Sequence, residues 1–233
     1  MRTLFLSSLL LLSTASFAQL GIAPEVSIGV SNMRFIPDNI FTTSAENSQL
    51  SWRVGAILDA PFTSHTYFQT GLYYSRKGHN RNYGYYDSAS SYDHEDRTLT
   101  LNYIDMPLNI VFKTSEQGKG RLCIGAGAML SYLISGDVKG TSAVKIRDTL
   151  YSNNISANPG DLLRKFDIGA SFFGAYEFPT GLYLKAYYVS GVKDIGTLTE
   201  ISKNRVWGLS IGYMFGKDRN VNKDKEGLID KGE

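Results

Sequence analysis

Between residues 20 and 215 the chain alternates apolar and polar side chains with a period of two, in eight separate stretches. That periodicity restricts the fold to paired β-strands with two unlike faces. The stretches cover about 20–32, 49–59, 66–78, 98–113, 121–135, 165–178, 182–190 and 204–215. In the last, Trp207, Leu209, Ile211, Tyr213 and Phe215 share one face, and Asn204, Gly208, Ser210 and Gly212 share the other. The remaining stretches repeat this division into an apolar, aromatic face and a small, polar or charged one. The 23 glycines and 15 tyrosines fall largely on these stretches and their connections, a usage that suits strands and close backbone approach.

The connections run 33–48, 60–65, 79–97, 114–120, 136–164, 179–181 and 191–203, so long alternates with short at every step. Outer-membrane barrels have long loops at one end and short turns at the other, with an even strand count returning both termini to the turn end. The expectation is therefore an all-β fold: an eight-stranded antiparallel up-and-down transmembrane β-barrel. A soluble lipocalin-like barrel is the alternative.

The fourth stretch changes phase. Leu99, Leu101 and Tyr103 share parity with one another, whereas Ile104, Met106, Leu108, Ile110 and Phe112 take the opposite parity. If both sets face outward, a β-bulge near 103–104 is required, and it would also accommodate Pro107.

Residues 1–18 read as a cleaved signal peptide: Arg2, an apolar run from Leu4 to Leu12, then small residues through Ser16 and Ala18 ahead of Gln19. That run is too short to span a bilayer as a helix. Residues 19–215 then form the barrel, and 216–233 a charged, flexible periplasmic tail with five basic and five acidic residues. The formal charge of +2 gives no basis for nucleic-acid capture. A single cysteine, Cys123, excludes an intrachain disulfide framework.

The polar parity of the strands sends Glu25, Arg53, Asp59, Lys77, Asp105, Asp167, Glu177 and Lys185 inward. An eight-stranded interior is only wide enough for side chains to fill, so this set is expected to form a salt-bridged plug rather than the lining of a pore. His65 falls in a short turn. His79 and His94 fall in the second long loop with Asp87, Asp93, Glu95 and Asp96, without diagnostic metal-ligand spacing. The same loop holds Tyr83, Tyr85, Tyr86 and Tyr92, a composition shared by binding surfaces and by membrane-edge anchors. Around Thr141–Tyr151, alternation in the third long loop suits a hairpin raised above the membrane. The tail sets Asn222, Asp224, Glu226, Gly227, Asp230 and Glu233 at calcium-loop spacing, but without flanking helices a solvated tail is the preferred reading. No catalytic, cofactor or metal site is expected.

GLYYSRKG at 71–78, YIDMPLNI at 103–110, FDIGASFFGAYEF at 166–178 and YYVSGVKDI at 187–195 resemble landmarks of the porin-family, PorT-like outer-membrane β-barrel proteins. The last strand is similar to the assembly signal of such barrels, but eighteen residues follow it. The resemblance implies a small eight-stranded barrel with a cleaved leader, located in the outer membrane; separately, a monomer in outer-membrane lipid is expected, with envelope protein partners met through the loops or the periplasmic tail. The resemblance implies no chemistry, because members of one fold family differ in role. A structural or interaction role is the first expectation; a narrow passive channel and a lipid-modifying enzyme are the alternatives.

Overall fold

The computed structural model describes residues 20–36, 44–88, 91–114, 120–146, 149–157, 164–192 and 201–216. The strands are β1 (Gly21–Ile36), β2 (Ser44–Pro61), β3 (Thr66–Ser88), β4 (Ser91–Lys113), β5 (Arg121–Ile146), β6 (Thr149–Ala157), β7 (Phe166–Glu177), β8 (Leu182–Gly191) and β9 (Ile201–Tyr213). All pairings are antiparallel. The ring runs β1–β2–β3–β4–β5–β7–β8–β9 and closes where β9 returns to β1, giving an eight-stranded barrel. Closure leaves no open edge within the barrel wall, a condition of life in lipid.

The ninth strand lies above this ring. β6 pairs with the upper part of β5, Val138–Ile146, and forms the raised hairpin expected around Thr141–Tyr151. The second long connection is also built differently from a loop. The β3–β4 ladder continues to Tyr86↔Tyr92, and β4 stays paired with β5 up to Ser91↔Ile146. These residues therefore carry the wall beyond the barrel as a tall sheet. Alternating polarity without a lipid-facing apolar side hid that extension in the sequence.

The fourth strand corrects another expectation. Leu101 and Tyr103 are 0% exposed, whereas Ile104 and Met106 are on the outer surface, so β4 alternates without a break. Its register against β3 is constant through this region. The bulge lies one strand over: Asn102 pairs with Ser135 and Tyr103 with Leu133, leaving Ile134 of β5 as the extra residue. Leu99, Leu101 and Tyr103 change parity because the upper lumen is apolar there, not because the strand slips. Pro107 needs no bulge either. The β3–β4 ladder is interrupted between Thr70↔Leu108 and Tyr73↔Asp105, which removes the requirement for an N–H at the proline.

Outward residues form one apolar band. Along β9 and its continuation the band runs from Trp207 to Phe215, and along β1 from Ile22 to the half-buried Val30. At the strand rise and tilt of such barrels, nine residues correspond to roughly 20–25 Å of bilayer. Aromatic residues ring both limits. Trp52, Tyr74, Tyr132, Tyr188 and Trp207 mark the loop end, and Phe112, Phe178, Tyr213 and Phe215 the turn end. Gly21 and Gly216 are at the turn end, joined by the Ile22↔Phe215 bridge. No helix among the described residues is long and apolar enough to cross a membrane.

Candidate functional site: the charged lumen

All eight side chains expected to point inward are buried in the lumen. Lys113 and Arg121 join them, as the outward parity of Phe112 and Leu122 would have indicated. Among the described residues this makes five carboxylates (Glu25, Asp59, Asp105, Asp167, Glu177) and five cations (Arg53, Lys77, Lys113, Arg121, Lys185). Buried charge is tolerated when paired and hydrogen-bonded, and the equal count meets the first condition for the lumen as a whole.

The middle of the lumen is organised on Glu25. Arg53 donates to its Oε1 at 3.2 Å, Lys185 pairs with Oε2, and the Tyr183 hydroxyl donates to Oε2 at 2.7 Å. Arg53 also donates to Ser27 Oγ at 3.1 Å and packs over the rings of Tyr187 and Tyr73, at 3.6 and 4.6 Å from their centroids. Glycines provide the room. Glu25 lies between Gly55 of β2 and Gly212 of β9 in the ladders. Tyr73, Tyr183, Tyr187 and Phe173 face Gly55, Gly212, Gly208 and Gly125, each directly opposite on the neighbouring strand. A Cβ at Gly212 would collide with the Tyr183 ring.

Toward the turn end, Lys113 bonds Asp59 at 2.6 Å and reaches Glu177 at 3.5 Å. Arg121 holds Glu177 through two donors, at 3.1 and 2.9 Å, and Gln69 donates to Asp59 at 2.7 Å. The two-point guanidinium–carboxylate contact fixes orientation as well as charge. The cavity between this layer and the Glu25 layer is about 20 Å³ and is lined by Ile57, Asp59, Lys113, Glu177, Tyr183 and Lys185 among others. That is room for about one water molecule.

Toward the loop end, Lys77 bonds Asp105 at 2.9 Å and Ser131 at 3.3 Å, and Ser75 donates to Asp105 at 2.7 Å. Asp167 is partnered differently. Asn204 donates to its Oδ2 at 2.9 Å, and its buried Oδ1 has no hydrogen-bond partner among the described residues. Above this layer Leu101, Tyr103 and Leu133 pack as an apolar cap, with Leu99 against it.

His79, expected in a loop, is a buried inward residue of β3. His65 is in the 62–65 turn, bonded to Ser64 Oγ at 2.9 Å and stacked on Phe112. Cys123 is a buried free thiol. Among the described residues no group of three His, Cys, Asp or Glu side chains is placed to hold a metal ion. The leader and residues 217–233 lie outside the described residues, as do the side chains of His94, Tyr83, Tyr85, Tyr86 and Tyr92. Sequence reasoning missed one local device: the Ser31 hydroxyl bonds both the C=O and N–H of Gly78, at 2.7 and 2.8 Å, bridging the bulge of β2 between Ser48 and Trp52.

A family model for the outer membrane protein beta-barrel domain matches residues 17–197, over three quarters of the chain. The chain belongs to that family. As an outer membrane beta-barrel domain it is located in the outer membrane, and the apolar band of its wall is the surface that meets lipid. The match ends before β9, the strand that completes the barrel. Among solved structures, Neisserial surface protein A is 10% identical, with 84% of this chain and 97% of that chain covered and a TM-score of 0.40. The attachment invasion locus protein Ail of Yersinia pestis is 14% identical, with 83% and 98% covered and a TM-score of 0.30. The COG4313 outer membrane channel of Pseudomonas putida F1 is 8% identical, with 85% and 96% covered and a TM-score of 0.28. Overlaps at this level carry nothing about function. No curated protein matches the sequence.

Proposed function

We propose that this protein is a non-enzymatic outer-membrane barrel with a plugged interior, which acts by presenting its tall loop-end sheet to other components of the envelope or the surroundings. The observation that carries this reading is the filled lumen: ten buried charges in three bonded layers, with a cavity for about one water between the lower two. What remains for interaction is the surface above the membrane, where β3, β4, β5 and β6 extend past the apolar band.

In this reading residues 1–18 are removed on export, both termini are periplasmic, and 216–233 form a periplasmic tail without a dedicated calcium site. The PorT-like resemblance of 71–78 and 103–110 supports placement in that subgroup. The reading includes a monomer, which is compatible with a barrel that closes without a strand from a second copy.

Crosslinking in intact cells, with photo-reactive residues placed in β3–β6 above the band or in the 62–65 turn, tests the role. Discrete protein adducts concentrated at the loop end are expected. Loss of such adducts together with solute-dependent swelling of liposomes carrying the purified barrel would replace this reading with a passive channel.

A further inference from the structure

Among the described residues the outward face of the barrel carries its cations unevenly. At the turn end the described outward residues include Ile22, Phe112, Leu122, Leu182, Tyr213 and Phe215, and the nearby Lys113 and Arg121 are turned inward and buried. At the loop end Arg76, Lys203 and Arg205 project from the wall just above the aromatic ring. Both tryptophans of the chain belong to this arrangement: Trp52 pairs with Arg76, and Trp207 sits two residues from Arg205 on the same face. Lys139, also outward, is neutralised by Asp137 at 3.1 Å. Among the described residues Lys203 and Arg205 have no ion-pair partner.

Lys203 and Arg205 lie two residues apart on β9 and so share its outward face. Lys203 lies opposite Arg34, and Arg205 opposite Asn32 on one side and Ser190 on the other. Directly below, Trp207 is flanked by Val30 and Tyr188 and is 59% exposed. An apolar ledge under unpaired cations, at the level where the bilayer changes from chain to headgroup, is complementary to a lipid whose headgroup carries phosphate.

We infer that the outer face of β8, β9 and β1 is a binding site for a phosphate-bearing lipid of the outer leaflet. Lys203 and Arg205 hold the phosphate, and Trp207 and Tyr188 seat the upper acyl chain. The leaflet assignment rests on the proposed orientation; the site itself does not.

Native mass spectrometry of the full barrel, released from maltoside micelles doped with dilauroylphosphatidic acid, tests it. One retained phosphatidic acid is expected, with phosphatidylcholine retained far less and inorganic phosphate unable to displace it. Two surface cations at about 1 kcal/mol each make the Lys203→Gln/Arg205→Gln variant about 30-fold weaker. Lys139→Gln should match wild type, and heat-modifiable gel migration verifies that each variant is folded. Equal retention by wild type and the double variant would overturn the site, and displacement by inorganic phosphate would overturn the lipid as its occupant. Surface biotinylation of a cysteine placed in the 62–65 turn in intact cells would overturn only the orientation, since micelles have no sidedness.

Discussion

Glu25 and Asp167 are both buried inward carboxylates, yet the lumen around them is held together in different ways. Glu25 has two cations and a tyrosine hydroxyl, and its neighbours on both adjoining strands are glycines. Asp167 has one asparagine, and the lumen above it is closed by Leu101, Tyr103 and Leu133. By layer, the middle has two cations to one carboxylate (Arg53 and Lys185 with Glu25). The layer above has one cation to two (Lys77 with Asp105 and Asp167). The turn-end layer has two of each, so the five-to-five balance is a property of the whole lumen and not of each layer. Charge therefore specifies the middle and the turn end, while apolar packing closes the loop end.

The largest effect should come from breaking the middle. Glu25→Ala leaves Arg53 and Lys185 buried without a counter-charge and is expected to cost about 3–5 kcal/mol. Urea unfolding in micelles, followed by gel migration, would measure it, and a loss below about 1 kcal/mol would deny Glu25 its organising role. Next is the apolar cap. Leu101→Ala removes a side chain with no exposed surface and should cost about 2–5 kcal/mol in the same assay, with little dependence on salt.

A third test concerns the space around Glu25. Gly212→Ala sets a methyl against the Tyr183 ring and should cost about 1–3 kcal/mol. Gly174→Ala, facing outward with nothing within 4 Å, should stay within about 0.5 kcal/mol. The smallest effect is expected at Asp167. Asp167→Asn keeps a hydrogen-bonding group facing Asn204 and leaves Lys77 bonded to Asp105, so unfolding should shift by less than about 1 kcal/mol. A loss as large as that of Glu25→Ala would erase the distinction between the two regions.

Much of this was legible from strand parity. Period-two alternation carries face assignment, and all eight expected inward charges are inward because a one-residue error would have exposed every one of them to lipid. What failed was the assumption that apolar means outward. Leu101 and Tyr103 are apolar and inward, where they pack with Leu133 into an apolar cluster beside the buried Lys77. Parity of that kind cannot be told from a bulge without the neighbouring strand's register, and the bulge itself sits at Ile134. The partners within the lumen were also hidden. That Glu25 meets Lys185, some 160 residues away, depends on β9 closing against β1, which no local pattern encodes.

If the paired charges and rings fill the lumen as proposed, the barrel is closed to solutes and ions. Planar-bilayer recording of the purified full chain tests this most directly. A silent membrane is expected after insertion, with no stable conductance step at moderate voltage. A long-lived, reproducible open conductance from the folded barrel would contradict it.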